Sequence, residues 1–519
     1  MSFLYNNLAA IAVAAVSAVL VWAFGGTRGD QLITFAPWLL AFMVEVVFFF
    51  PQRHGYETTY EARERVWRAL KRDPLTWVSL GLLALLLIPC ANNGLCPNCD
   101  AKTIADGIDP APPVAFLPFC VNRLDHFEVF LWFALAVLSL TIVRQCLTRH
   151  GKVQVLRMIV WNGALVAVLG FVQDVLAAPG PLWCGKAGAS DAGTFFATFG
   201  YPNMAGDYFT ALFAVSLALW RERCERLRLE EMETDESKLA VRPHGAFWRK
   251  HFYLIPAAVF FYAALNTLSR AAIILVTSVA VIGFFHTLVI SLSRMHRQRR
   301  VIVGVWSLLA FGVLIFFAMM FMPKDIRREV DSLGTTEVLD RVTGKGQYHS
   351  RVATALWKEH LLFGCGGWGY RHLHLGLLTP EERRELQLVG GANVHNDHLQ
   401  FLAEHGLVGF GLMLALVALL LAPVCRGWKL MVKDLRFKKG KDLPPKPVQL
   451  FVLPAPAFLV LTGVVATAVH AFGDCPLRSP AVLTLFFVEL AALPGFMPKL
   501  SDGPLPRDPR HSHHHHHHH

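Results

Sequence analysis

Apolar residues run along this chain in blocks long enough to cross a bilayer, which takes roughly 20 residues of helix. About twelve such blocks stand out, near 4–24, 31–51, 74–91, 126–147, 153–178, 203–220, 251–268, 271–292, 301–322, 398–424, 449–472 and 480–498. The pattern predicts an all-α, polytopic integral membrane protein with about twelve transmembrane helices. No repeat of fixed period divides the blocks into inverted halves, which sets the chain apart from many transporters.

Two polar stretches between blocks are long enough to fold. The first, at about 91–125, is rich in Pro, Asn and Cys and reads as an irregular outer loop. The second, at about 323–397, carries three helix signatures. "MPKDIRREVDSLG" opens on a proline suited to a first turn and stops at Gly334. "HSRVATALWKEHLLFG" offers Ser350 as N-cap and Gly364 as a stop. "TPEERRELQL" has Thr379 as N-cap, Pro380 in the first turn and acidic residues beside it. The segment is therefore expected to form a small helical cap before the tenth span, with "GCGGWGY" as a mobile or tight connection. A loop of this length without a function is uncommon. The expected division is spans one to nine within 1–322, the cap at 323–397, three spans within 398–500, and a cytoplasmic tail with a His tag at 501–519. No cleavable signal peptide is expected, because no basic stretch precedes the apolar run from Phe3 to Phe24.

Charge orients this arrangement. The loops "RHGYETTYEARERVWRALKRD", "RQCLTRHGK", "RERCERLRLEEMETDESK", "RMHRQRR" and "RGWKLMVKDLRFKKGKD" all fall on one side of a twelve-span chain. Their Lys and Arg make that side cytoplasmic, with both termini inside. Composition fits the membrane class: 54% of the 519 residues are hydrophobic and only 17% charged, against about 25% charged in soluble domains. The net charge of +11 is then a topological signal. Nucleic-acid binding would need a folded basic domain, and the pattern leaves no room for one. Cys90, Cys96, Cys99, Cys120, Cys184, Cys365 and Cys475 fall on or near the outer side, where an oxidising compartment favours one or more disulfides. "CPNC" lacks a second pair to complete a zinc site.

Candidate chemistry gathers at the outer ends. "NVHNDHLQFLAEHGLVGFGLML" has the flavour of a membrane helix, yet it opens with His395, Asn396, Asp397 and His398 and carries Glu404 and His405 further in. Ionisable groups in hydrocarbon are costly and mark sites or pathways. On a helix starting there, His395, His398, Leu402 and His405 would share a face. His395 has the chemistry of a general base. His398 and His405 suit interfacial packing or support, Asn393 or Asn396 suits a cap, and Glu404 suits a partner on another span. Positive charge is disfavoured outside, so Arg270 in "NTLSRAA", Arg341 and Arg351 need a reason. An arginine fork grips phosphate oxygens in pairs, while Arg351 has the plainer option of pairing with Asp340 or Glu337. Asp474, in "HAFGDCPLRSP", is placed to orient His395, to balance the arginines, or merely to line a polar loop. No DxD pair, G-x-S-x-G elbow or Walker loop accompanies these residues.

The segments "NTLSRAAIILVTSVAVIG", "RVATALWKEHLLFGCGGWGY" and "HNDHLQFLAEHGLVGF", preceded by "GTFFATFGYPNMAGDYF", resemble successive motifs of the bacterial O-antigen ligase and polymerase superfamily over roughly 190–490. The resemblance implies a bacterial inner-membrane enzyme whose site faces the periplasm. It implies transfer of a glycan from undecaprenyl diphosphate to a lipid A core, glycan or protein acceptor, without metal or other cofactor. It carries the catalytic histidine onto His395 and the diphosphate-binding arginines onto Arg270 and Arg351. Asp474, Arg341, Asn396 and His398 are its supporting candidates. A ligase is the leading expectation. A polymerase or a protein O-oligosaccharyltransferase would share fold and donor. A lipid-linked glycan flippase would instead need a continuous polar cavity and charge in many spans.

Overall fold

The computed structural model describes residues 2–27, 29–93, 112–184, 195–233, 246–293, 295–320, 322–332, 345–387, 393–439 and 453–497. These are helical throughout, apart from turns and two isolated bridges. In chain order the helices are α1 (Ser2–Trp22), α2 (Gly29–Phe49), α3 (Thr59–Arg72), α4 (Pro74–Ala91), α5 (Arg123–Thr141), α6 (Arg149–Val175), α7 (Pro202–Glu233), α8 (Ala246–His251), α9 (Leu254–Asn266), α10 (Arg270–Ser293) and α11 (Arg297–Met320). Four short helices follow: α12 (Lys324–Ser332), α13 (Lys345–Glu359), α14 (Gly369–Leu373) and α15 (Pro380–Gln387). The chain continues through α16 (Asp397–Lys439), α17 (Ala455–His470) and α18 (Pro480–Ala492).

Every apolar run read from the sequence is occupied by a helix. Seven of them, α2, α4, α5, α6, α10, α11 and α16, are long and apolar enough to cross a membrane, and α1, α9, α17 and α18 are shorter apolar helices. The chain is thus a polytopic helical membrane protein. At its centre α7 packs against α9 and α17, and α18 packs against α5. Phe199, Tyr208, Phe209 and Phe260 are fully buried there, their rings 5.4 to 6.5 Å apart in tilted, edge-on and stacked pairs.

The tenth run is one apolar block in the sequence but a broken helix in space. At Gly406 the backbone of α16 turns to φ 63°, ψ −170°, a region open essentially to glycine. Such a break frees backbone groups that lipid cannot satisfy. The connection 361–366 supplies their partners. Cys365 N and Gly366 N donate to the carbonyls of Ala403 and Glu404 at 3.1 and 2.8 Å, and Leu407 N and Val408 N donate to Leu361 and Leu362 at 3.0 Å each. The two chains come so close that a Cβ at Gly364 would stand 2.3 Å from the Glu404 backbone, and one at Gly406 would stand 2.3 Å from Leu362. The glycine-rich connection is therefore the tight alternative of the two expected.

The segment between α11 and α16 does fold into short helices. Val352, Ala353 and Leu356 of α13 join Tyr370, Leu378, Val394 and Ala403 in one apolar cluster, which seats α13 on the start of α16. Thr379 caps α15 as expected: Glu382 N donates to its Oγ1 at 3.3 Å, and Thr379 N donates back to Glu382 Oε2 at 2.9 Å. Ser350 is not an N-cap. The helix begins at Lys345, so Ser350 lies inside it, with its carbonyl taking the Thr354 hydroxyl. No disulfide joins Cys90, Cys120, Cys184, Cys365 or Cys475. Cys96, Cys99 and Arg341 lie outside the described residues.

Candidate active site

His395 sits between the connection and α16, two residues ahead of the first helical position. It is therefore off the face shared by His398 and His405. Its backbone is left-handed, with φ 55°, a conformation uncommon outside glycine and found where the surroundings impose it. Three hydrogen bonds do so. Val394 N donates to Gln400 Oε1 at 3.0 Å, and Asp397 N reaches the carbonyls of Ala471 and Asp474 at 2.8 and 3.3 Å. Asn396 Oδ1 accepts from Leu399 N at 3.0 Å, so Asn396 is the cap of α16.

Asp474, in the turn after α17, meets the histidine. His395 Nδ1 stands 3.1 Å from its Oδ1. The imidazole is half exposed and the carboxylate is buried. The same carboxylate accepts from Tyr201 Oη at 3.1 and 3.2 Å, from Cys475 N at 2.8 Å, and from Asn203 Nδ2. Burial by itself would raise the pKa of Asp474, but the hydrogen bond and charge of His395, the charge of His470 and the Cys475 amide outweigh it and hold the pKa at about 2. An ionised carboxylate on Nδ1 fixes the tautomer, so Nε2 is the basic nitrogen of His395.

A second histidine stands behind. His349 of α13 has its ring 6.1 Å from that of His395 and its Nδ1 2.6 Å from Tyr370 Oη. Burial, reinforced by His395 and His374 nearby, lowers the His349 pKa to about 4, while burial raises that of Tyr370, so the phenol donates to a neutral imidazole. A histidine depressed in the folded state stabilises the fold above its unfolded value of about 6.5. That contribution is lost as pH falls from there toward 4. The unfolding midpoint of the detergent-purified chain should accordingly drop across this window, and His349→Gln should flatten the drop. An unchanged slope in that variant would refute the coupling.

Beneath the pair lies a buried ion network. Arg478 donates to Glu404 Oε2 at 2.8 Å and stands 3.6 Å from Asp397 Oδ1, while Gln400 Nε2 donates to Glu404 Oε1 at 3.0 Å. Glu404 is thus a partner to another element, as its place in an apolar run suggested. The Arg478 guanidinium also faces the Trp368 ring at 5.0 Å, with Arg371 on that ring at 3.7 Å. His398 Nε2 contacts the Ala468 carbonyl at 3.1 Å and its ring packs on Phe472. His405 is buried against Phe401.

The two arginines are held by carboxylates. Arg270 Nε donates to Glu329 Oε2 of α12 at 2.9 Å, and Arg351 Nη2 donates to Glu382 Oε1 of α15 at 2.6 Å. The spacing of His395 Nδ1, Asp474 and Cys475 Sγ, all within 4.8 Å, would also suit a metal ion.

Residues 255–414 match the family model described as O-antigen ligase. The chain carries an O-antigen ligase domain. That match lies within the region whose motifs resemble the superfamily and covers less than a third of the chain. The O-antigen ligase domain holds Arg270, Arg351 and His395. Tyr201, Asn203 and Asp474 come from helices or turns on either side of it. A search of curated proteins found no match. An O-antigen ligase domain in a multi-pass membrane protein makes the chain, in broad terms, a glycan transferase of the O-antigen ligase type.

Proposed function

We propose that this chain is a ligase that moves a glycan from undecaprenyl diphosphate to an acceptor hydroxyl on the periplasmic face of the inner membrane. The observation that carries the reading is the pair formed by an exposed His395 and a buried, ionised Asp474, inside and beside the O-antigen ligase domain. His395 Nε2 takes the proton of the acceptor hydroxyl as its oxygen bonds to the anomeric carbon. The bond from that carbon to the diphosphate oxygen breaks, and its electron pair leaves with the diphosphate. A single displacement inverts the centre. Arg270 and Arg351 carry the departing charge, their forks kept in place by Glu329 and Glu382 until phosphate replaces those carboxylates. Helix α13, seated on the start of α16 with His349 beside His395, shields the site and limits competition by water.

Cells lacking the gene are expected to accumulate long polymer on the lipid carrier with bare acceptor, and the wild-type gene should restore the product. Single repeat units in place of long chains would assign a polymerase instead. Arg270→Lys should lower transfer by on the order of 10²-fold, because the ammonium keeps the charge but loses the planar fork. Equal rates for lysine and arginine in a purified assay would reduce the role to simple electrostatics.

A further inference from the structure

The opposite end of the bundle carries a feature that glycan transfer does not use. Helix α5 begins beside the cap, where His372 Nε2 meets Asp125 at 2.8 Å, and its far end reaches Asp73 through Arg144 Nε at 3.2 Å and through Gln145. Asp73 closes α3, so α3 lies at the end remote from His395, in the first of the Lys- and Arg-rich loops. A capping box between Thr58 and Glu61 starts this helix, and Arg65 ties it to the Gln52 carbonyl at 2.8 Å.

Helix α3 has three faces rather than two. Ala62 and Val66 are buried against the bundle. A second face holds internally compensated charge, with Arg65 on Glu57 at 2.9 Å and Arg68 on Glu64 at 3.3 Å. The third is aromatic and cationic. Tyr60 and Trp67 are exposed there, the Arg63 guanidinium lies 5.6 Å over the Phe49 ring, and Lys71 Nζ lies 4.8 Å over the Trp67 ring. Among the described residues neither cation is ion-paired. Trp67 also packs on Phe48 at 5.9 Å, at the exposed end of the membrane-crossing helix α2. Between them runs a groove of about 380 Å³ whose lining includes Val47, Phe48, Tyr60, Arg63, Glu64 and Trp67.

We propose that this groove binds an anionic phospholipid of the cytoplasmic leaflet. Its acyl chain lies along the Phe48 and Trp67 side chains, and its phosphate sits between Arg63 and Lys71. Aromatic rings at headgroup depth and cations whose stems run over apolar surface are what an interfacial helix presents to lipid. The carboxylate of Glu64 in the groove is already held by Arg68 at 3.3 Å, so the two cations favour a net negative headgroup over a zwitterion, which would bring its own ammonium into their field. The cytoplasmic leaflet is where anionic lipid meets such clusters.

The test is native mass spectrometry of the full-length chain in detergent, titrated with phosphatidylglycerol or with phosphatidylcholine of the same acyl chains. Wild type should bind phosphatidylglycerol preferentially. Arg63→Gln and Lys71→Gln should each weaken that binding by about fivefold, roughly 1 kcal/mol per cation at the surface, and the double variant should abolish the preference. Arg72→Gln with Arg299→Gln removes the same charge from exposed positions outside the groove and should change binding by less than about twofold. Equal binding of the two lipids by wild type, or equal losses in the two double variants, would overturn the proposal.

Discussion

Replacing His395 with alanine is expected to abolish transfer of glycan to acceptor, a loss of roughly 10²–10⁴-fold for removal of a general base, while the protein still inserts and folds. The side chain is half exposed and hydrogen-bonds to Asp474, so little packing goes with it. Asp474→Asn should fall nearly as far for a different reason. Tyr201, Asn203 and the Cys475 amide already donate to this side chain. An amide would turn one donor of its own toward these groups or toward Nδ1, and a donor facing Nδ1 puts the ring proton on Nε2, where the base must be bare. The measurement is transfer from a lipid-linked donor by purified protein, with expression and unfolding midpoint recorded for each variant. Wild-type rates in His395→Ala would end the base assignment. A fast Asp474→Asn beside a dead His395→Ala would leave the base standing and remove its orienting partner.

The helices were legible because hydrocarbon imposes one rule on every residue of a span, and a run of apolar side chains expresses it without reference to the rest of the chain. The break in α16 obeys a different rule. Gly406 is one of several glycines in "HGLVGFGL", and only the docking of 361–366 shows which of them must take a positive φ. His395 and Glu404 stood out as polar residues in an apolar setting. Tyr201 and Asn203 did not, since 273 and 271 residues separate them from Asp474, and the one hint was a polar first turn on the apolar α7. His349 was hidden for a related reason: it sits in an ordinary amphipathic helix, and its place beside His395 exists only once α13 packs on α16. Arg351 pairs with Glu382, 31 residues on, a separation no local pattern announces, while the nearer candidates Glu337 and Asp340 lie outside the described residues.

Replacing Arg478 with methionine is expected to destabilise the protein by about 3–5 kcal/mol, the usual cost of breaking a buried ion pair from one side. Both partners are nearly sealed, with side-chain exposures of 7% for Arg478 and 0% for Glu404. Methionine matches much of the stem but, among the described residues, leaves Glu404 with only Gln400 and Asp397 with only the Leu477 amide at 2.7 Å. It also removes one of the two cations on Trp368, the residue through which the glycine-rich connection leans on the bundle. Because Asp397 N binds the Asp474 carbonyl, slack in this network reaches the catalytic pair directly, and transfer should fall in proportion to the folded fraction and beyond it. The check is a double-mutant cycle on the unfolding midpoint in detergent. Arg478→Met with Glu404→Gln removes the stranded charge and should recover part of the loss, whereas a purely steric role for Arg478 predicts that the double variant is no better than the single one.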